Sequence, residues 1–312
     1  MEKKTILLLG GFGFLGTNML SYIATHNLPY EVIIFDKFDH HPHNIHFDFV
    51  KKVYAGDFAD EKLLENIFKG EHIDYVVHSI STTVASNAQN PKYDILSNII
   101  PTLTILDLMV KYNVLDILFI SSGGAIYGDS ILAHMENDDQ FPKSSYGVHK
   151  LTIEKYLFLY ASLYGIHPLV LRLSNPYGFY HYSNTQGVIN VAMRKAVAGE
   201  VMQVYGTGEA SKDYIWIDDF CDIAFQLIIQ GVHTEILNVG SGEILSVNQI
   251  LKEIKSLVPT FTWGYNPPLQ LDVQHVSLNT DKLHTYIGTY SFTPFSEGLQ
   301  RLCEWQLRQR HV

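Results

Sequence analysis

The feature that most constrains the fold of this 312-residue chain is a glycine-rich turn between an apolar run and a helical pattern. The apolar run is residues 5–9, the helical pattern begins at Phe14, and the glycines in the spacing G-x-x-G-x-x-G are Gly10, Gly13 and Gly16. The first glycine permits a tight bend, the second lets the backbone approach an anion, and the third lets helix and strand pack closely. Free N–H groups at the helix start, around Phe14 and Leu15, attract a phosphate. The pattern predicts a dinucleotide-binding unit at the N terminus.

Apolar runs and helical patterns alternate through the first half of the chain. The predicted strands are residues 5–9, 31–36, 52–55, 73–79, 115–121 and 168–173, and the predicted helices are residues 14–24, 61–68, 94–112 and 146–164. Continuously apolar strands are typical of a parallel sheet, and their alternation with helices predicts a doubly wound, Rossmann-type α/β fold. We expect a dinucleotide-binding domain of residues 1–173, to which residues 215–240 return. Residues 174–214 and 241–312 are predicted to form a smaller C-terminal substrate-binding lobe.

An acidic residue, Asp36, closes the second predicted strand about twenty residues after the glycine turn. A carboxylate there can accept hydrogen bonds from both hydroxyls of an adenosine ribose and repels a 2′-phosphate. NAD is therefore favoured over NADP as the cofactor. Two observations keep the alternatives open: Asp36 also suits a turn at the end of a strand, and Lys37 beside it would tolerate a phosphate.

Tyr146 and Lys150 stand four residues apart at the start of a predicted helix, where side chains share one face. The helix follows the predicted strand 115–121, close to where a nicotinamide would lie in this fold. An unperturbed tyrosine, with a pKa near 10, is a poor base at neutral pH. An adjacent ammonium and an oxidised nicotinamide would lower that pKa, so Tyr146 is a candidate proton carrier.

Composition excludes several classes of protein. Lys and Arg total 22 against 32 acids, for a net charge of −10, which argues against nucleic acid as a partner. Outside the last twelve residues the only arginines are Arg172 and Arg194. Cys221 and Cys303 are too few for a disulfide framework and suit a reducing compartment. With neither a signal peptide nor a membrane span predicted, we expect a cytoplasmic protein.

Two further segments have competing interpretations. Residues 39–46 are rich in His and Asp but lack regular ligand spacing, so we predict a flexible surface loop and no metal site. The predicted helix 146–164 is apolar almost all round. One of its faces must meet the sheet, and the other is covered either by a second subunit or by the smaller lobe. We favour a homodimer.

Taken together, these motifs resemble the extended short-chain dehydrogenase/reductases, specifically their sugar-nucleotide epimerases, dehydratases and reductases. The similarity covers nearly the whole chain and includes the glycine turn, Asp36, Gly56-Asp57, Asn98, Ser121–Gly128, Tyr146–Lys150, Arg172–Gly178 and Lys212–Asp219. The resemblance implies hydride and proton transfer at a ring carbon of a nucleoside-diphosphate sugar, a Ser/Thr–Tyr–Lys triad and a homodimer. It also implies NAD contacts from Asp57, Phe58, Asn98 and Lys150.

The chain departs from this family pattern at the catalytic hydroxyl. The triad Ser or Thr of the family would stand at position 123, which is Gly123 in this chain. We therefore expect the neighbouring Ser122 to supply the catalytic hydroxyl. Alternatively Ser122 only satisfies backbone groups, and a water, Ser81 or Thr82 contacts the substrate oxygen. The Asp-Glu pair with which the family's dehydratases eliminate water is replaced by Gly124-Ala125. Epimerisation and reduction remain as candidate reactions.

The diphosphate-binding residues also differ from the family pattern. Lys212 replaces an arginine, which loses the bidentate fork, and a second arginine expected near Leu269, shortly before Asp272, is missing. We expect Asn175, Lys212 and backbone N–H groups to contact the diphosphate. Gln186 and Val188, at the start of the next helix, would assist through the helix terminus.

Three functions follow from these residues. The first is an NAD-dependent nucleoside-diphosphate-sugar epimerase acting at C4 through a transient ketone, with Tyr146, Lys150 and Ser122 as catalytic residues. The second is an NAD(P)H-dependent reductase of a nucleotide-linked 4-keto-6-deoxy sugar, which would use the same residues. The third is a non-catalytic dinucleotide-sensing protein. The missing hydroxyl at Gly123 favours this interpretation, and the retained Tyr146 argues against it.

Overall fold

The computed structural model describes residues 3–41, 43–83, 90–268 and 275–309. Its strands are β1 (Lys4–Leu9), β2 (Tyr30–Asp36), β3 (Val50–Ala55), β4 (Tyr75–His78), β5 (Asp116–Ser122), β6 (His167–Leu173), β7 (Asn175–Tyr177), β8 (Met202–Tyr205), β9 (Ser211–Trp216), β10 (Glu235–Val239), β11 (Ile244–Ser246), β12 (Trp263–Asn266) and β13 (His275–Val276). Its helices are α1 (Phe14–Thr25), α2 (Glu61–Gly70), α3 (Pro91–Asp94), α4 (Ile100–Lys111), α5 (Gly123–Ile126), α6 (Ser145–Tyr164), α7 (Val188–Ala198), α8 (Ile217–Ile229), α9 (Val247–Leu257), α10 (Asp281–Ile287) and α11 (Phe295–Gln309), with a π-helical turn at Ile95–Ile99.

Seven parallel strands form the central sheet, in the order β3-β2-β1-β4-β5-β6-β10. The strand order reverses between β1 and β4, which is the doubly wound arrangement. The predicted fold class is therefore confirmed. The predicted strands of this sheet match the observed ones to within two residues, because all but the edge strand β3 are apolar runs buried on both faces.

Side chains from the two faces of the sheet enter separate apolar cores. One core packs the sheet against α1, α8 and α10, and the other packs it against α2, α4 and α6. Ile6 and Leu8 of β1 face the first core, whereas Leu7 and Leu9 face the second. This alternation follows from the two-residue period of a strand. The carboxyl ends of the strands are left as the edge where loops and helix starts meet.

The chain leaves this sheet after β6 and returns with α8 and β10. β10 pairs in parallel with β6, and Ser174 N donates to Val239 O where the two segments meet. A third core joins α7, α9, α11, β8 and β9 in the smaller lobe. β9 pairs with β11 on one side and with β7 and β13 on the other. The smaller lobe is thus attached at the carboxyl end of β6.

The helical segment Pro91–Lys111 is interrupted by its π-helical turn, where the sequence predicted one regular helix. Pro101 has no backbone N–H and its ring crowds the preceding turn. The wider π turn immediately before it accommodates this loss. It also carries Asn98, which is buried.

By length and composition, Pro91–Lys111 is the one segment among the described residues that could cross a membrane. Half of it is buried within the protein, where it packs in the core shared with α2 and α6. A core helix of a folded domain has the same composition. That the chain does not span a membrane stays a prediction.

The contact between α1 and the glycine turn can be tested by substitution. A β-carbon at Gly16 would overlap the Gly10 carbonyl oxygen, which is rigid backbone. We expect Gly16→Ala to lower the free energy of unfolding by about 1–3 kcal/mol, measured by chemical denaturation. Gly70→Ala is the matched control, since nothing lies within 4 Å of its added carbon and alanine favours a helix. Equal stability of the two variants would contradict this account.

Candidate active site

The glycine turn and the end of β2 form one side of the site. Gly10 has φ 86°, a conformation that favours glycine, and its N–H donates to Phe35 O at 2.8 Å. Phe12 N donates to Asp36 Oδ2 at 2.9 Å, which fixes the carboxylate beside the turn. Burial raises the pKa of Asp36, while backbone hydrogen bonds oppose the rise. The turn, the start of α1 and the carboxylate therefore meet at the carboxyl edge of the sheet.

The start of α1 has the properties that a dinucleotide pyrophosphate requires. Its N-cap is Gly13, no side chain caps the first turn, and that turn contains no acid. The backbone N–H groups and the positive end of the helix dipole are thus not neutralised by the helix itself. Phe14 and Leu15 are its first two residues. With Asp36 within a hydrogen bond of the same turn, the residues present fit NAD.

Asp57 and Phe58 follow β3, beside the end of β2, and Asn98 lies in the π-helical turn before α4. Asp57 is exposed and accepts from Ala59 N at 2.9 Å, whereas the helix cap of α2 is Asp60. Phe58 is buried, with its ring 6.0 Å from that of Phe35. Asn98 accepts from Thr82 N at 2.9 Å, so it holds the segment that follows β4.

Tyr146, Lys150 and Ser122 come together at the end of β5. Ser144 caps α6 by accepting from Gly147 N, which places Tyr146 in the first turn. Lys150 is 3% exposed and its Nζ donates to Ile120 O at 2.8 Å. The Ser122 and Tyr146 hydroxyls are hydrogen-bonded to each other. A phenol, a serine hydroxyl and an amine are therefore grouped at one strand end.

Burial and neighbouring side chains shift the pKa values of this group. Burial raises the pKa of Tyr146, and the hydrogen bond from Ser122 lowers it. Burial also lowers the pKa of Lys150 to about 7, with the Glu154 carboxylate opposing that shift. In the chain without NAD burial has the larger effect on Tyr146, and the lowering of its pKa by the Lys150 ammonium and an oxidised nicotinamide together stays a prediction. Ser122 is the neighbour that favours the phenolate.

Leu278 occupies the space beside Gly123. A β-carbon at Gly123 would lie 2.5 Å from Leu278 Cδ1 and 3.1 Å from Arg172 O. Leu278 is buried and packs with Tyr127 and Val276. A serine or threonine at position 123 therefore does not fit without movement of Leu278.

The alternative hydroxyls considered for the substrate oxygen are held by their own neighbours. Ser81 Oγ donates to Thr83 O at 2.7 Å. Thr82 Oγ1 accepts from Asn98 Nδ2 at 2.7 Å and is hydrogen-bonded to Ser97 Oγ at 2.6 Å. Of these candidates, Ser122 is the one whose hydroxyl contacts Tyr146.

The residues predicted to contact the substrate lie on the lobe side of the site. Asn175 donates to Asp213 O at 3.0 Å, and its side chain faces the backbone of Gly124. Lys212 lies in β9 between β11 and β13. Gln186 lies two residues before α7, and Val188 is the first residue of that helix, which has no side-chain cap. Leu269, near which the missing arginine was expected, and Asp272 after it lie outside the described residues.

Two histidines of the segment after β2 make specific contacts with other parts of the protein. His41 is 2% exposed and its Nε2 lies 3.1 Å from Thr17 Oγ1 in α1. His43 stacks on Tyr182 of the smaller lobe, with ring centroids 3.5 Å apart. The prediction of a surface loop was wrong for His41, because its ring packs against Phe12. Within the described ranges, no three His, Cys, Asp or Glu side chains are grouped to bind a metal.

A buried polar network behind Tyr146 was missed in the sequence analysis. Glu154 and Arg172 form an ion pair at 2.7 Å, and Ser121 Oγ donates to the same carboxylate at 2.5 Å. Arg172 also donates to the Tyr127 hydroxyl at 2.7 Å. The sequence did contain a signal for this network, because Glu154 lies inside an apolar helix and Arg172 inside an apolar strand. Charged residues at such positions are rarely buried unless they are paired.

Comparison with known proteins gives a consistent picture. Residues 6–240 match the NAD dependent epimerase/dehydratase family. A putative UDP-glucose 4-epimerase of Methanocaldococcus jannaschii is 32% identical, covering 96% of this chain and 97% of its own. A dTDP-4-dehydro-6-deoxyglucose reductase of Escherichia coli is 27% identical over the same shares. The structure of Thermotoga maritima UDP-glucose 4-epimerase with UDP-glucose superposes with a TM-score of 0.90 at 28% identity, covering 99% of this chain and all of that one.

The packing of Leu278 against Gly123 gives a prediction with a neighbouring control. We expect Gly123→Ala to lower the free energy of unfolding by about 1–3 kcal/mol, because the added carbon overpacks a buried site. Gly124→Ala should be close to neutral, since its carbon would meet Asn175 at an ordinary 3.6 Å. Adding Leu278→Ala should make the Gly123 change less costly. Additive losses in the double variant, measured by denaturation, would show that the two residues are not coupled.

Proposed function

Because this chain belongs to the NAD-dependent epimerase/dehydratase family, we propose that it is an NAD-dependent epimerase of nucleoside-diphosphate sugars acting at C4. The observation that carries the proposal is the grouping of Ser122, Tyr146 and Lys150 at the end of β5, with Lys150 Nζ 5.9 Å from the centre of the Tyr146 ring. The relatives named as UDP-glucose 4-epimerases support the choice of reaction.

Each residue of this group has a separate task in the proposed reaction. When bound, NAD supplies the acceptor and donor of the hydride. In its phenolate form, Tyr146 takes the proton of the sugar hydroxyl and returns it to the sugar oxygen when the ketone is reduced. Ser122 holds that oxygen and the phenol together, and Lys150 orients the cofactor ribose. Rotation of the transient ketone between the two transfers inverts the carbon.

The small residues after Ser122 suit this chemistry. Gly124 and Ala125 offer no acid or base for eliminating water from the sugar. The site is thus limited to proton transfer through Tyr146. Asn175, Lys212, Gln186 and Val188 are proposed to contact the substrate diphosphate, and the glycine turn, Asp36, Asp57, Phe58 and Asn98 are proposed to contact NAD.

Reduction of a nucleotide-linked 4-keto-6-deoxy sugar is the second candidate. It is favoured by the 27% identity to the Escherichia coli reductase along nearly the whole chain. The two reactions share Tyr146, Lys150 and Ser122 but differ in cofactor exchange. An epimerase regenerates its bound NAD in each cycle, whereas a reductase consumes one NADH per product.

The cofactor balance separates the two candidates. We expect purified protein to interconvert UDP-glucose and UDP-galactose without added NADH, and Tyr146→Phe to reduce turnover by about 10²–10⁴-fold through loss of the proton carrier. Ser122→Ala should reduce turnover less, since it removes one hydrogen bond from the phenol. The measurement is product formation by chromatography, with NADH followed by absorbance. Stoichiometric NADH consumption with a 4-keto-6-deoxy sugar, and no interconversion, would establish the reductase instead.

We also propose a homodimer formed through an apolar surface on α6 and the segment before α4. The exposed residues of this surface are Tyr93, Ile95, Leu96, Ile100, Val148, Leu159, Leu163 and Tyr164. The described residues of the smaller lobe do not cover them, and an apolar patch of this extent is typical of a subunit interface. The two cysteines, free and buried, suit the cytoplasmic location expected from the sequence.

The dimer prediction has a control on the opposite face of the sheet. Leu163→Glu, at a position 60% exposed on α6, should shift the protein from dimer to monomer in analytical ultracentrifugation, since a charge buried in an apolar interface is costly. Ile229→Glu, 61% exposed on α8, should leave the dimer unchanged. A monomeric parent protein, or dissociation by both variants, would contradict the proposed interface.

A further inference from the structure

Glu154 lies on the same face of α6 as the catalytic pair, one turn beyond Lys150. Its side chain is fully buried. The carboxylate accepts hydrogen bonds from Arg172 Nε at 3.2 Å, from Arg172 Nη2 at 2.7 Å and from the Ser121 hydroxyl at 2.5 Å. A carboxylate with this many donors is held in one position. Glu154 is therefore a fixed negative charge below the site.

Lys150 lies in an apolar environment that disfavours its charge. Its Nζ is 4.7 Å from the centre of the Phe119 ring and 5.9 Å from that of Tyr146, and its hydrogen bond goes to the Ile120 carbonyl. Glu154 is the carboxylate that raises its pKa against burial. Glu154, a buried carboxylate one helical turn away, therefore favours the ammonium form of Lys150.

The other ionisable groups around Lys150 do not replace Glu154. His78 at the end of β4 and His149 on α6 both have pKa values lowered by burial and by the Lys150 charge itself. Asp94 on α3 faces His149, at 3.9 Å from its Nδ1. Arg172 on β6 is cationic and is directed at Glu154. Tyr146, with a raised pKa, contributes no anion near neutral pH.

From this arrangement we infer that Glu154, oriented by Arg172 and Ser121, is a positioning residue that holds a negative charge one helical turn from Lys150 and thereby favours its ammonium form. The inference rests on the proposed function for the role of Lys150 in catalysis. The contacts themselves are independent of that function. Arg172 has two effects, since it fixes the carboxylate and also offsets part of its charge. The pair thus sets the pH range in which Lys150 is an ammonium.

The sign of the pH effect follows from linkage. Between the folded pKa of Lys150, about 7, and its unfolded value, the unfolded chain binds more protons. The Lys150 contribution to stability therefore rises with pH through this window, is lost as pH falls through it, and changes no further below the folded pKa. Removing the Glu154 charge lowers the folded pKa further, so the rise begins at lower pH.

The experiment compares Glu154→Gln with the parent chain by melting temperature across pH 5–10. We expect the Lys150-dependent rise to begin about one pH unit lower, and the alkaline limit of turnover to move down equally. Both shifts should be small in Glu154→Asp, which restores the carboxylate.

In a Lys150→Met background Glu154→Gln should leave the pH dependence unchanged, which a merely structural role would not predict. Glu235→Gln, which breaks an ion pair with Lys282 elsewhere, is the control.

A second variant guards against misfolding, because Glu154→Gln leaves the Arg172 guanidinium buried without its partner. Glu154→Gln/Arg172→Met removes the whole ion pair and should shift the pH dependence in the same direction. An unshifted melting curve in a folded variant, or a shift that persists without Lys150, would overturn the inference. If the melting shifts appear but epimerisation does not, the proposed function fails while the role of Glu154 stands. Epimerisation with no melting shift would overturn the role of Glu154 and leave the proposed function standing.

Discussion

The ion pair between Glu154 and Arg172 is the interaction on which the geometry of the site depends. It joins α6, which carries Tyr146 and Lys150, to β6, while Ser121 ties the same carboxylate to β5. A buried ion pair contributes little net stability compared with an apolar pair, but breaking it by removing one partner costs about 3–5 kcal/mol. Such a pair therefore acts by fixing one arrangement. Here it fixes the rotation of α6 about its axis, and with it the direction of the two side chains proposed to be catalytic.

The network continues from Arg172 towards the smaller lobe. Arg172 donates to the Tyr127 hydroxyl, which donates to Asn238 Oδ1 at 2.8 Å in β10. Asn238 in turn donates to the backbone oxygens of His134 and Asn279. The segments that enclose the site are thus connected through polar groups whose hydrogen bonds are satisfied. A satisfied network of this kind specifies a structure, whereas one unpaired member would be costly.

The parts of this protein that sequence predicts are those governed by local patterns. Strand limits follow from continuous apolar runs, and the glycine turn follows from its spacing. The lowered pKa of Lys150 does not, because it results from burial in the folded chain, which the Glu154 carboxylate opposes. The packing of Leu278 on Gly123 joins residues 155 positions apart, and no local pattern encodes it. The burial of His41 likewise depends on a contact with α1.

The scarcity of arginine acquires a structural explanation. Arg172 is 1% exposed and belongs to the network behind the site. Arg194 donates to the backbone oxygens of His181, Tyr182 and Ser183, so it holds the loop before α7. Neither guanidinium is left to bind a phosphate. For a chain with net charge −10, the proposed binding of two diphosphate ligands therefore relies on helix starts, lysine and backbone N–H groups. These donors are fixed by the fold, so anion binding here depends on backbone geometry more than on side-chain charge.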